Sequence, residues 1–240
     1  MPGVLVIAES NEAGVTPASF EIIGAARRLA EQGAGPVAAF IAGSEEQAQE
    51  LIAHGADSAY LSGANGALAE VLAPAVEAAI QQSGAEIVLM PQSSLGRDLG
   101  PALAFRLNTG VAMDSTDLVM EGGRLRATRA AYGGNARAEH TWKSNPQIAT
   151  VKAKSFDALE ADPARSGTIT TLDAKGEARI NVLGVSKAES TGIKLEDAAI
   201  VVSGGRGLGD AGAFQLLEQL ASTLKKAAVG ASRAACDLGW

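Results

Sequence analysis

Aromatic residues make up only 4% of this 240-residue chain, so its core cannot rest on large rings. Val, Ile, Leu and Ala must fill it at close range, as they do where helices lie on a sheet, and that favours α/β over a β-sandwich. A single cysteine, Cys236, excludes an internal disulfide, and with only His54 and His140 beside it no Cys/His cluster at zinc-ligand spacing can form. A reducing compartment follows. No Lys/Arg block occurs and the formal net charge is −7, which leaves nonspecific nucleic-acid binding without its counterion-release term. No apolar run reaches the roughly 18 residues a membrane helix needs. The opening Met1-Pro2-Gly3 leads into a run too short, and without the basic flank, for a signal peptide. The expectation is a soluble cytoplasmic protein with no nucleic-acid partner and no place in the membrane.

What is present is an alternation of strand and helix. Val4–Ala8 reads as a buried strand, and Thr16-Pro17 opens a helix whose apolar face runs through Phe20, Ile23 and Leu29. The pairing repeats as Val37–Ile41 with Glu45–His54, Ala59–Leu61 with Ala67–Gln81, and Ile87–Pro91 with Leu99–Leu107. Such alternation predicts a mostly parallel sheet flanked by helices. After Gly110, strand-like segments at Leu118–Met120, Leu125–Ala131, Ala136–Thr141 and Gln147–Val151 follow one another through turns at Gly122-Gly123, Gly133-Gly134-Asn135 and Ser144-Asn145-Pro146, predicting an antiparallel addition. Residues 157–176 read as an exposed connection and Ala178–Val185 as a strand, with a domain boundary near Ser190–Leu195. A new unit then starts: a strand at 198–203, a helix at Phe214–Leu224 and a strand at Ala227–Ala231.

The turn Ser203-Gly204-Gly205-Arg206-Gly207-Leu208-Gly209-Asp210-Ala211-Gly212 lies between strand and helix, where backbone N–H groups can hold a pyrophosphate. Gly207, Gly209 and Gly212 fit G-x-G-x-x-G, a weak signal in a chain with 28 glycines. The second strand ends in Ser232-Arg233 rather than an acidic residue, which disfavours a plain NAD site. Arg233 suits a ribose 2′-phosphate, a reduced flavin or a diphosphate, and the local chemistry does not separate them.

Taken together, Val201-Val202-Ser203-Gly204-Gly205-Arg206-Gly207-Leu208 and Val229-Gly230-Ala231-Ser232-Arg233-Ala234-Ala235 resemble the FAD-domain motifs of the alpha subunit of electron transfer flavoprotein. The likeness extends to Val4–Glu9, Pro91–Leu99, Tyr132–Ala136 and Pro146–Val151, and so covers essentially the whole chain. It implies an electron carrier rather than a self-sufficient enzyme: an FAD-holding heterodimer with a beta subunit. Such a carrier takes electrons from acyl-CoA and related dehydrogenases, as in fatty acid β-oxidation, and passes them to a quinone-reducing acceptor.

By the same resemblance Gly204, Gly205 and Gly207 belong to the cofactor-binding turn, and Arg206 lies near the FAD phosphates or flavin. Ser232 hydrogen-bonds the cofactor, and Arg233 sits against the flavin ring and stabilises its reduced, anionic forms. Residues 1–190 form the subunit-interaction domain. Residues 195–240 form an incomplete Rossmann-like FAD-binding domain, because the family's further loop, Gly-Ile-Ser-Gly-Ala-type turn and adenosine-side Asn and Asp have no counterpart here. That departure implies weak or absent FAD binding. Two alternatives stand beside this one: an NADP-binding Rossmann oxidoreductase, resting on Gly207, Gly209, Gly212 and Arg233, and a non-flavin interaction domain.

The remaining polar residues read as structural. Asp98 serves as an N-cap with Pro101 in the first turn, and Tyr132–Asn135 forms a turn that the resemblance also places at the subunit interface. His54 and His140 lack a triad arrangement, and Cys236 reads as a small packed residue. No catalytic residue and no metal site is expected.

Overall fold

A computed structural model describes residues 3–64, 68–184, 192–195 and 198–240. They form two compact units, Met1–Asn181 and Val182–Trp240.

The first unit begins with β1 (Gly3–Ala8), a small hairpin of β2 (Ser10–Asn11) and β3 (Gly14–Val15), and α1 (Pro17–Leu29). It continues through β4 (Val37–Ala42), α2 (Glu45–Ala53), β5 (Ser58–Ser62), α3 (Ala69–Ser83), β6 (Ala85–Pro91) and α4 (Ser94–Arg106). Five further strands follow: β7 (Val111–Glu121), β8 (Arg124–Ala131), β9 (Ala136–His140), β10 (Gln147–Val151) and β11 (Thr168–Leu172). Nine of the strands make one sheet in the order β11-β5-β4-β1-β6-β10-β7-β8-β9. Every pairing from β11 to β7 is parallel, and β8 and β9 extend the sheet antiparallel.

β1 is buried along its whole length because both of its faces are covered, which is why it reads as a continuous apolar run. Val4, Val6 and Ala8 meet Ile22, Ile23, Leu29, Leu51 and Ile52 of α1 and α2. Leu5 and Ile7 meet Val76, Ile80, Leu99 and Leu103 of α3 and α4 on the other face. The alternating strands and helices of the first half are as the sequence predicts. So is the Gly122-Gly123 turn, where φ values of 58° and 77° give the two-residue, left-handed geometry that joins β7 to β8.

Several expectations are corrected. Gln147–Val151 is no part of an antiparallel addition: β10 lies parallel between β6 and β7, with all five residues buried. Its polar side chains are satisfied, Gln147 accepting from the Leu125 amide at 2.8 Å and Thr150 from the Asp114 amide at 2.8 Å. α4 starts at Ser94, so Asp98 is not the cap and Pro101 stands inside the helix. Ser93 caps it instead, accepting from the Gly96 amide at 2.9 Å. Thr16 precedes α1 without a side-chain cap; its hydroxyl lies 2.9 Å from that of Ser19. The connection at 157–176 carries a parallel edge strand, β11, and residues 178–184 form no strand, leaving Ile180 60% exposed. Val185, Ser190 and Ala67, named in the expected elements and boundary, lie outside the described residues.

The run that carries the chain back to β11 is held by Asp57. Its carboxylate accepts from the Val37 amide at 2.9 Å, pairs with Arg165 at 3.1 Å and binds Arg27. Burial pushes the Asp57 carboxyl up, but the hydrogen bonds from Arg27 and Val37 and the charges of Arg27 and Arg165 outweigh it and hold it below the ordinary aspartate value. Asp57→Ala is expected to cost about 2 kcal/mol at neutral pH, a modest figure because the carboxylate is 40% exposed. A depressed carboxyl stabilises above its unfolded value and loses that stabilisation as the pH falls through its folded value. The gap between wild type and variant in denaturant melts should therefore close at acid pH.

The second unit contains β12 (Ile200–Gly204), α5 (Phe214–Ser222), β13 (Ala227–Ala231) and the short α6 (Arg233–Asp237). β12 and β13 pair in parallel, from Ile200 opposite Ala227 to Gly204 opposite Ala231, so the expected strand-helix-strand unit is present.

Candidate functional site

The carboxyl ends of β12 and β13 lie side by side, and the chain closes one onto the other there. The Ser232 amide donates to the Gly204 carbonyl at 2.8 Å. A Cβ placed on Gly205 would lie 3.3 Å from the Ser232 hydroxyl, so a side chain there would crowd the point at which the two turns meet. Gly204 is buried, and a Cβ there would meet Leu208, Leu217 and Phe214 within 3.0 Å, which ties the start of the turn to α5.

Beyond Gly205 the backbone makes a single helical turn, Arg206–Leu208, with the Leu208 amide on the Gly205 carbonyl at 3.0 Å and the Gly209 amide on the Arg206 carbonyl at 3.2 Å. The amides of Arg206 and Gly207 open that turn and have no partner within it. Gly209 takes φ of 93°, a left-handed value that suits glycine, and Asp210 accepts from the Ala213 amide at 3.1 Å to start the run into α5.

The structure thus brings Gly204, Gly205 and Ser232 into contact, with Arg206 and Gly207 one and two residues beyond Gly205. Arg206, Gly207, Ser232 and Arg233 are exposed. Arg233 is 93% exposed and pairs with Asp237 at 3.5 Å. Open amides, a hydroxyl, the exposed guanidinium of Arg206 and that of Arg233, which meets Asp237 at 3.5 Å, lie around side-chain-free glycines and are a donor set that fits the phosphates of a dinucleotide. Cys236 is exposed, correcting its expected packed role; α6 is one short turn and presents the thiol outward.

Elsewhere the histidines split. His54 stacks on Phe20 at 4.0 Å and its Nδ1 lies 2.8 Å from the Leu159 carbonyl, a structural role. His140 buries an Nε2 that has no partner among the described residues. No group of three or more His, Cys, Asp or Glu side chains that could hold a metal occurs among the described residues. No described helix is long and apolar enough to cross a membrane.

The residue that sequence patterns passed over is Glu9. It follows a wholly buried strand at its carboxyl end, which was the available signal, and it receives the Ser93 hydroxyl. Burial pushes its carboxyl above the ordinary glutamate value, and the Ser93 hydrogen bond offsets only part of that. Such a group favours the folded state when protonated. That contribution is complete below the unfolded value, about 4.3, and is lost as the pH rises through the folded one. Glu9→Gln should therefore raise the melting midpoint at neutral pH, with the advantage over wild type vanishing in melts near pH 4.

Residues 4–177 match the family model described as the electron transfer flavoprotein domain, and residues 194–240 match the electron transfer flavoprotein FAD-binding domain. The chain is 36% identical to the electron transfer flavoprotein subunit alpha of Bacillus subtilis, over 98% of this chain and 73% of that protein. It is 35% identical to Protein FixB of Clostridium saccharobutylicum, over 99% and 74%. A third relative is the LctC subunit of the lactate dehydrogenase (NAD(+),ferredoxin) of Acetobacterium woodii, 32% identical over 99% of this chain and 59% of that subunit.

Proposed function

The chain belongs to the electron transfer flavoprotein alpha-subunit family, and on that premise we propose that residues 204–207 with Ser232 and Arg233 form its FAD-binding edge. The observation that carries this is the seating of Gly205 against Ser232 at the paired carboxyl ends of β12 and β13, within the stretch that matches the FAD-binding domain. Bound FAD supplies reversible acceptance of electrons, which side chains alone do not. The amides of Arg206 and Gly207 would receive a phosphate, Arg206 would add its charge, and Ser232 would hydrogen-bond the cofactor. Arg233, its charge barely engaged by Asp237, would sit against the ring and favour added negative charge.

The amino-terminal domain, residues 1–190, would pair with the beta subunit, and the heterodimer would act as a carrier in the cytoplasm. Its electrons would come from acyl-CoA dehydrogenases and related enzymes, as in fatty acid β-oxidation, and leave to a quinone-reducing acceptor. One relative is named as a subunit of a lactate dehydrogenase (NAD(+),ferredoxin), so pairing this heterodimer with several purified dehydrogenases, acyl-CoA dehydrogenases among them, would identify its donor.

Arg233→Ala in the heterodimer tests the site. Removing one charge-assisted contact, about 1.5 kcal/mol or more, should lower the potential for the first electron by roughly 60 mV. A potential unchanged by the substitution would remove Arg233 from the site.

A further inference from the structure

The carboxyl ends of the sheet in the first unit hold a cleft of about 370 Å³ that the flavin reading does not use. From β1 the chain proceeds outward to β4 and then β5, and returns to β6 on the opposite side of β1. Loops leaving strands on either side of such a reversal diverge, and open α/β sheets hold ligands in the crevice that results. Here Ile7 and Phe40 supply the apolar floor, Leu72 and Leu95 the walls, and Ser62, itself 1% exposed, a buried hydroxyl.

Glu9 is the one charged residue among those lining the cleft. Its carboxylate takes the Ser93 hydroxyl and has no ion pair among the described residues. A half-buried carboxylate without a cation is costly, and burial accordingly raises its pKa. A phosphate would bring more negative charge to a cleft lined by no Lys or Arg, and a neutral guest would leave Glu9 uncompensated. An ammonium group relieves that cost, and the apolar floor and walls suit a short hydrocarbon body.

We propose that this cleft is a second binding site, distinct from the flavin edge, for a small primary amine with an apolar body, with Glu9 as the counter-charge. The apolar floor and walls accommodate the hydrocarbon body, and Glu9 selects the charge.

The test titrates the full chain with hexylamine hydrochloride at constant ionic strength, following the thermal midpoint, with hexan-1-ol and sodium hexanoate in parallel. Hexylamine should raise the midpoint saturably, hexanol should do so more weakly, and hexanoate should have no saturable effect. Glu9→Gln keeps an acceptor for Ser93 and is expected to fold, as its own midpoint without additive will show, and it should weaken hexylamine binding by about tenfold or more. Equal responses to amine and carboxylate, a Glu9→Gln response matching wild type, or no saturable response to hexylamine would each overturn the assignment. FAD binding should be unaltered by Glu9→Gln, which separates this result from the fate of the flavin reading.

Discussion

Gly96→Ala is expected to lower the thermal midpoint of the first unit by about 6–12 °C. A Cβ at that position would lie 1.9 Å from the Pro91 carbonyl oxygen and 3.1 Å from its carbon, both backbone atoms that no rotamer change can move. The start of α4 cannot simply slide away: its cap, Ser93, accepts from the Gly96 amide and donates to Glu9 at the end of β1. Leu99 and Leu103 are fully buried one and two turns further on. Displacing the helix would disturb all of these, at a cost of about 3 kcal/mol or more, and each kcal/mol shifts the midpoint of a domain this size by roughly 2–4 °C. Calorimetry of the purified variant checks it. A midpoint within about 1 °C of wild type would mean that α4 is not seated on the end of β6 as described.

The second large effect is at the flavin edge. Gly205→Val should weaken FAD binding by the heterodimer by roughly a hundredfold, about 3 kcal/mol, the loss of one or two hydrogen bonds to charged phosphate. The first added carbon would already be 3.3 Å from the Ser232 hydroxyl and 3.7 Å from its Cβ, and the branched methyl groups would force the glycine turn and Ser232 apart, separating donors proposed to act on one ligand. Because β12 and β13 remain paired, the fold of the unit should survive, and circular dichroism of the variant would show it. Fluorescence titration with FAD measures the loss. An affinity equal to that of wild type would place the phosphates elsewhere.

The parts of the fold that local pattern governs were legible in the sequence. Buried runs such as Val4–Ala8, the paired glycines at 122 and 123, and the strand Ala227–Ala231 carry their geometry in their own residues. The misread parts depend on distant partners. Gln147–Val151 has no local mark that distinguishes an antiparallel edge from a parallel centre; its place is fixed by its pairing with β6 on one side and β7 on the other, both many residues away in the chain. Ser93 and Asp98 are both good capping residues, and Gly96, Gly100 and Pro101 between and after them look like breakers, so the start of α4 is decided by packing against Pro91, Thr150 and Val111 rather than by propensity. β11 hides in a polar stretch because Thr168–Leu172 is an edge strand with little buried surface. In the site, the glycine turn and Ser232-Arg233 were readable as motifs, whereas the contact between Gly205 and Ser232 required the parallel register of β12 and β13. Glu9 escaped notice because a lone acidic residue after a strand means little until the chain's reversal beside β1 surrounds it with apolar walls.

The measurement that bears most directly on the family role is sedimentation of the chain mixed with the beta subunit from the same source, with flavin absorbance followed along the boundary. A one-to-one complex, with flavin absorbance moving with it once FAD is added, is the expected result. Separate boundaries for the two proteins, with all of the flavin left behind in free solution, would contradict a role as the FAD-holding half of a heterodimeric carrier.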